Sequence, residues 1–104
     1  MTTYVFKNFR FSHYTIFVVG GVNVLDPEII GKVIQRIREQ KKQSQELVSG
    51  FAGIGRTHLS AIERGERKPT LETFFKIADA LDIKPSVLMA AIEDELNKQD
   101  NRKK

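Results

Sequence analysis

The chain of 104 residues has no cysteine, no tryptophan and only two histidines. Without cysteine, neither a disulfide bond nor a thiolate metal site can form. Two isolated histidines, His13 and His58, do not make a metal site or a nucleophile–base set. The length suits one domain and is small for an enzyme with a deep cleft. The sequence therefore predicts a protein that is not an enzyme and that uses no metal or cofactor.

The chain also has no long apolar run. Its most apolar stretch, residues 14–25, is interrupted by Gly20-Gly21 and by Asn23, whereas a membrane-spanning helix needs roughly 20 consecutive apolar residues. No small-residue cleavage pattern follows this stretch, as a secretory signal peptide would require. We therefore expect no membrane association and, together with the absence of cysteine, a cytoplasmic location.

Residues 1–25 differ in composition from everything after them. Aromatic and β-branched residues crowd the stretch from Tyr14 to Val19, and Gly20-Gly21 separates them from Val22 to Leu25. This pattern predicts a short β-strand or a hairpin with a two-glycine turn. A hairpin alone is marginal in water, so it would pack on the helical body or pair with a second chain. The alternative interpretation is a start assigned too far upstream, with the domain beginning near Leu25.

Five helical segments follow between residues 26 and 98, and residues 99–104 form a basic tail. Helix starts are indicated by Asp26-Pro27, Ser44, Thr70 and Pro85, which are residue types that cap or open helices. Apolar residues recur at helical spacing and give the predicted core. The core set is Ile29, Ile30, Val33, Ile34, Ile37, Val48, Ala52, Ile54, Leu59, Ile62, Leu71, Phe74, Phe75, Ile77, Ala78, Leu81, Val87, Leu88, Ala91, Ile92 and Leu96.

Two short helices in residues 45–65 are hinged on Gly53, and the second ends at Gly65. Glycine can take the positive φ that such tight turns require. Helices this short do not survive alone, so they must pack crosswise on the rest of the domain. The spacing is that of a helix-turn-helix. The outer face of the second helix carries no large apolar residue: it presents Arg56, Thr57, Ser60, Ala61 and Arg64.

From residue 56 onward the chain reads RTHLSAIERGERKP, then LETFFKIADAL, then DIKPSVL. With Ser44-Gln45 and the AGI of residues 52–54, these motifs resemble the phage lambda repressor/Cro-like, or XRE, family over roughly residues 26–92. The resemblance implies an all-α, five-helix repressor-like helix-turn-helix domain. It implies a sequence-specific transcriptional regulator that binds double-stranded DNA, acts as a homodimer and uses no cofactor, and it names no small-molecule effector.

The resemblance also assigns roles to residues. Gln45 braces a phosphate contact at the N-terminus of the first motif helix, where backbone N–H groups favour an anion. Arg56 and Thr57 lie in the first turn of the recognition helix, nearest the base edges, with Ser60 and Ala61 one turn on. Candidate phosphate contacts are Arg64, Arg67 and Lys68. Residues 36–68 hold eight Lys/Arg against four Glu, which suits an anionic partner.

An ion pair between Arg38 and Glu63 is implied by the same resemblance, with a structural role, and His58 is expected to pack beside the recognition helix. At Lys42-Gln43 the chain departs from the family, which usually has Gly and a core Leu there. Gly55 has no side chain and Ala61 has only a methyl group, so neither offers a polar group that could read DNA. A second interpretation therefore stays open: a protein-interaction module without specific DNA readout. Among regulators, a small repressor, a restriction–modification controller and an antitoxin also stay open.

Overall fold

The structure is a computed structural model that describes residues 25–103, with side chains described through residue 99. These residues form five helices and no strand: α1 Pro27–Gln40, α2 Gln45–Ala52, α3 Arg56–Glu63, α4 Leu71–Ala80 and α5 Pro85–Lys103. The predicted all-α fold is confirmed. The predicted N-terminal strand or hairpin lies outside the described residues. Helix α5 continues into the segment that the sequence analysis assigns to a basic tail.

Side-chain caps open three of the helices at the predicted residues. The Asp26 carboxylate accepts a hydrogen bond from the Glu28 N–H at 2.9 Å. The hydroxyl of Ser44 accepts one from the Leu47 N–H at 3.0 Å. Thr70 caps α4 in the same way, through the Thr73 N–H at 3.1 Å. Each cap satisfies an N–H group that has no partner within the helix, which fixes where the helix begins.

The core lies where the five helices meet. Helix α2 packs against α3 and α4, while α1 packs against α3 and α5, and α5 also packs against α4. The fully buried side chains come from every helix: Val33, Ile34, Val48, Leu59, Ile62, Ile77, Leu81, Leu88 and Ile92. All of them belong to the predicted apolar set. The core therefore follows the helical periodicity of the sequence.

Three residues of the predicted core lie on the surface instead. Leu71 is 71% exposed, and Phe75 and Val87 are each 53% exposed. Leu71 and Phe75 are four residues apart and so share one side of α4, while Phe74, Ile77 and Ala78 take the inner side. A helix has one core-facing stripe, so six apolar residues in one ten-residue helix cannot all reach the core. For these three residues the predicted burial was wrong.

The turns use the predicted glycines. Gly53 has φ +70° at the end of α2, and Gly65 has φ +80° just after α3, both in the left-handed region that glycine adopts without a steric penalty. Lys42 also has positive φ, at +57°, at the position where the family usually has Gly. Gln43 next to it is half-buried, and its side-chain oxygen is buried without a hydrogen-bond partner among the described residues.

Helix α1 crosses α3 at Gly31. A Cβ atom at this position would clash with the Ile62 carbonyl oxygen and would lie 2.6 Å from that of Glu63. Only glycine allows the two backbones to approach this closely. The crossing fixes α3 on the body of the domain, with its opposite face outward. No helix within the described range is long and apolar enough to cross a membrane.

Candidate nucleic-acid interface

The helix-turn-helix is anchored by an ion pair between α1 and α3. Arg38 Nε donates to Glu63 Oε2 at 2.7 Å, and Arg38 Nη2 donates to Glu63 Oε1 at 2.9 Å. The two side chains are only 10% and 2% exposed. Arg38 Nη1 also donates to the Gln43 carbonyl at 2.9 Å, which ties down the corner that precedes α2. The hydrogen bond with Glu63 raises the pKa of Arg38 above its ordinary value.

Gln45, the first residue of α2, links this ion pair to the start of α3. Its Nε2 donates to Glu63 Oε1 at 2.8 Å, and its Oε1 accepts from Arg56 Nη1 at 3.4 Å. A carboxylate only accepts and a guanidinium only donates, so one orientation of the amide satisfies both partners. A chain of hydrogen bonds therefore runs from the buried ion pair to the exposed Arg56, although its last bond is long and weak.

An open hollow lies between the starts of α2 and α3. It is lined by Arg38, Ser44, Gln45, Glu46 and Arg56. By helix geometry, the N–H groups of Gln45 and Glu46 have no acceptor within α2, and the helix dipole adds partial positive charge there. The two guanidinium groups strengthen this effect, while the Glu46 carboxylate opposes it. The hollow has the chemistry of a site for one phosphate group.

The first turn of α3 presents two polar side chains to solvent. Arg56 and Thr57 are exposed, whereas Ser60 and Ala61, one turn on, are half-buried. Gly55 precedes the helix, has no side chain and provides no side-chain cap. His58 lies within α3 and is half-buried. The outer face of α3 therefore projects few groups, and Arg56 and Thr57 are the most prominent.

Arg64 follows α3 and is held by neighbours on the surface. Its Nε and Nη2 donate to the two carboxylate oxygens of Glu66 at 2.9 and 3.0 Å, and its Nη1 donates to the Ser60 hydroxyl. The hydrogen bond with Arg64 lowers the pKa of Glu66, so the carboxylate stays ionised at neutral pH. Glu66 was not among the predicted site residues. A glutamate two residues after the arginine was the available signal.

Arg67 and Lys68 lie in the loop between α3 and α4, and both are exposed. This loop leaves α3 through Gly65, where the Gly65 N–H donates to the Ile62 carbonyl at 3.0 Å. The loop therefore begins at the C-terminal end of the helix whose first turn carries Arg56. Within the described residues, no group of His, Asp or Glu side chains is arranged to hold a metal ion.

Comparison with known proteins places this geometry in a family. A family described as helix-turn-helix matches residues 34–88, from the middle of α1 to the first turn of α5. The chain belongs to this helix-turn-helix family. The match covers just over half of the chain and includes both motif helices, so the resemblance to lambda-repressor-like, XRE-family domains is confirmed. The family and the similar proteins are DNA-binding transcriptional regulators rather than enzymes.

Similar proteins include regulators from different settings. An uncharacterised HTH-type transcriptional regulator of Sinorhizobium fredii is 36% identical over 56 residues, which are 54% of this chain and 73% of that protein. The immunity repressor protein of Bacillus phage phi105 is 32% identical over 71 residues, 68% of this chain and 48% of the repressor. The control protein C.BamHI of Bacillus amyloliquefaciens is 36% identical over 62 residues, 59% of this chain and 76% of that protein.

Solved structures show the same helical arrangement. The restriction–modification controller C.AhdI of Aeromonas hydrophila aligns with a TM-score of 0.59 and 35% identity over 61% of this chain and 96% of the controller. The controller C.Esp1396I, solved as a tetramer with its natural 35 base-pair operator, aligns with a TM-score of 0.64 and 27% identity. That alignment covers 67% of this chain and 92% of the controller.

Proposed function

We propose that this protein is a sequence-specific transcriptional regulator that acts in the cytoplasm and inserts α3 into the major groove of operator DNA. The observation that carries the proposal is the hydrogen-bonded chain from the Arg38–Glu63 ion pair through Gln45 to Arg56. It connects the ion pair to the most prominent side chain of α3, which lies beside a hollow suited to a phosphate. A groove-reading side chain and an adjacent backbone anchor are the two kinds of contact that DNA recognition combines.

Arg56 and Thr57 are the proposed base-reading residues. From the first turn of a helix in the major groove, an arginine can donate two hydrogen bonds to guanine, and a threonine can bond a base edge or contact a thymine methyl group. Ser60 and Ala61 lie behind them and add at most a hydroxyl and a small apolar contact. With so few reading groups, part of the specificity rests on DNA shape and deformability.

The remaining candidates are proposed to contact the DNA backbone. Gln45, together with the free N–H groups at the start of α2, would hold a phosphate in the hollow. Arg67 and Lys68 would contact phosphates from the loop after α3, and Arg64 would do so once its guanidinium leaves Glu66. Such contacts raise affinity for every sequence and make it depend on salt.

We further propose that the protein binds a two-fold operator as a homodimer. Two identical subunits present two recognition helices to half-sites about one helical turn apart, which matches the symmetry of an operator. The similarity of the chain to the controller C.Esp1396I, which is solved as a tetramer with its operator, supports the binding of DNA by more than one copy. The genes beside its own on the chromosome would identify which setting, repressor, controller or antitoxin, it serves.

Selection of bound duplexes from a random library, followed by fluorescence anisotropy, tests the proposal. Arg56→Ala should cost about 1–3 kcal/mol on the selected site and relax the preference at one base pair. Arg67→Ala and Lys68→Ala should instead weaken binding to all sequences alike and lower the salt slope by roughly one unit each. Lys32→Ala, which removes the same charge from an exposed position of α1, is the matched control and should change neither.

The results separate the alternatives. Uniformly weaker binding of Arg56→Ala with an unchanged base preference would make Arg56 a phosphate contact. Absence of duplex binding by the unaltered protein at low salt would contradict the proposal and favour a protein-interaction module, in keeping with the small side chains at Gly55 and Ala61.

A further inference from the structure

An apolar groove lies where α1, α4 and α5 meet, and none of its lining residues belongs to the hydrogen-bonded chain of the helix-turn-helix. Its floor consists of the core residues Ile30, Phe74 and Ile92, which are 5%, 5% and 1% exposed. Its rim consists of Leu25, Leu71 and Met89, which are 40%, 71% and 37% exposed. The groove leads from solvent directly to the core.

The lining favours an apolar occupant. None of its side chains is charged or carries a hydrogen-bonding group, so a charged or strongly polar ligand would lose its hydration and gain nothing in return. The volume of the groove, about 260 Å³, is below the range of roughly 300–1,000 Å³ in which small-molecule sites fall. One or two apolar side chains suit it better than a small-molecule effector does.

The position of Leu25 identifies a source for such side chains. Leu25 lies on the rim of the groove and is the first described residue, so the preceding chain starts at the groove itself. The eleven residues before it, YTIFVVGGVNV from Tyr14 to Val24, contain no charge and are mostly aromatic or β-branched. Each residue extends the reach by at most about 3.5 Å, so the whole groove is accessible within a few residues.

We propose that this groove is the docking surface for residues 14–24 of the same chain. The tether favours this occupant over a second copy, because a short linker gives an effective concentration in the millimolar range. Apolar side chains of the segment cover Leu71 and Met89 and complete the burial of the core. The helical periodicity of α4 does not predict the exposure of Leu71. In this arrangement, residues outside the described range cover the Leu71 side chain.

Cysteine pairs test the proposal in the full chain, since the natural sequence contains no cysteine to interfere. Met89→Cys is combined in turn with Ile16→Cys, Phe17→Cys, Val19→Cys and Val22→Cys, which allows for the unspecified register. A disulfide forms readily only when the two Cα atoms come within about 4.4–6.8 Å. Ala90→Cys is the matched control, because Ala90 is the exposed neighbour of Met89 on α5 and does not line the groove.

After equilibration in a thiol redox buffer, we expect at least one pair with Met89→Cys to form an intrachain disulfide. Its yield should be several-fold higher than that of the same pair made with Ala90→Cys, as measured by non-reducing electrophoresis and peptide mass spectrometry. Disulfides between two chains only would overturn the proposal in favour of a second copy as the occupant. Equal yields at the two positions, or no disulfide in any pair, would overturn it altogether.

Hydrogen exchange provides a test that does not depend on the cysteine variants. Amides of residues 14–24 in the unaltered full chain should exchange several-fold more slowly than in Leu71→Lys, which places a charge on the rim of the groove. Lys76→Ala, a change on the exposed side of α4 away from the groove, should leave the protection intact. Equal and unprotected exchange in the unaltered protein and in Leu71→Lys would refute the docking.

Discussion

The side chain of Glu63 on α3 connects the recognition helix to both α1 and α2 through hydrogen bonds. It accepts two hydrogen bonds from Arg38 and one from Gln45 while only 2% of its side chain is exposed. A buried ion pair of this kind is seldom a large net stabiliser, because burial costs both charges their hydration. Its removal is a different matter, since the partner charge is then left buried alone. We therefore expect the loss of Glu63 to destabilise the fold chiefly because Arg38 is left buried without its partner.

We expect Glu63→Ala to reduce the free energy of unfolding by ~3–5 kcal/mol, because the change leaves Arg38 charged, buried and unpaired. Equilibrium denaturation followed by circular dichroism measures this. Glu39→Ala is the control: Glu39 is exposed and lies 3.9 Å from Arg38, so its loss should cost no more than about 0.5 kcal/mol. Unaltered unfolding of Glu63→Ala would show that the ion pair does not hold α1 to α3.

A second prediction for a single residue concerns Glu66, whose carboxylate accepts two hydrogen bonds from the guanidinium of Arg64. In Glu66→Ala, Arg64 becomes available to a phosphate and a repelling charge is removed from the loop. Binding to duplex DNA of any sequence should strengthen, and the salt slope should steepen by roughly one unit. Anisotropy titrations at several salt concentrations measure this, with Glu72→Ala on α4 as the control. A slope that does not change would mean that Arg64 contacts no phosphate.

The pH dependence of the Arg64–Glu66 pair follows from the lowered pKa of Glu66. A carboxylate whose folded pKa lies below its unfolded pKa stabilises the folded state above the unfolded pKa and loses that contribution as pH falls through the folded pKa. The pair is thus intact at neutral pH and lost only in acid. Both side chains are more than half exposed, so solvent screening keeps the contribution small.

At the scale of helices, the crossing of α1 and α3 depends on the absence of a side chain at Gly31. The Cβ of an alanine there would meet backbone atoms of Ile62 and Glu63, which cannot move without moving α3. We expect Gly31→Ala to cost at least 1–3 kcal/mol, the usual cost of overpacking. Thermal melting measures the loss.

Gly50 supplies the matched control for this substitution. It lies within α2, and a Cβ atom there would meet nothing within 4 Å. Gly50→Ala should therefore stabilise the protein by about 0.5–1 kcal/mol, because alanine loses less backbone entropy in a helix. A similar loss of stability in both variants would indicate that the space at the α1–α3 crossing is not what matters.

Helix positions were predictable from the sequence because their signals are local. The caps at Asp26, Ser44 and Thr70 and the turns at Gly53 and Gly65 depend on side chains within a few residues of the helix end. Gly31 gave no such signal. In the sequence, a mid-helix glycine packed against another backbone looks the same as one exposed to solvent. The exposure of Leu71, Phe75 and Val87 escaped prediction for a related reason: periodicity marks an apolar stripe but not its width.

The candidate interface was predictable to a different degree. The stretch from Gln45 to Arg64 is marked by the spacing of two helices around a hinge and by family resemblance. The hydrogen bonds of Gln45 to Glu63 and to Arg56 join residues 18 and 11 positions apart, respectively, and no local pattern encodes them. The same holds for the open hollow between α2 and α3, which exists only once those helices have packed.

At the scale of the molecule, every fully buried side chain among residues 25–99 lies between Val33 and Ile92. The first helix has its own cap at Asp26, and the five helices pack on one another. These facts indicate that the helical body carries its own folding information. We therefore predict that residues 1–24 add stability or association rather than the fold itself.

A chain that begins at Leu25 should consequently fold, keep its helical circular dichroism and still bind a single half-site. If residues 14–24 dock in the apolar groove, their removal re-exposes Leu71 and Met89 and should lower the free energy of unfolding by about 1.5–3 kcal/mol per large side chain uncovered. If the segment instead joins two subunits, binding to a two-fold operator should weaken far more than half-site binding, and sedimentation should show fewer dimers. If translation starts downstream, neither changes, and mass spectrometry of the native protein should find no peptide upstream of about Val24. A shortened chain without cooperative melting would contradict all three expectations, because residues 1–24 would then belong to the core.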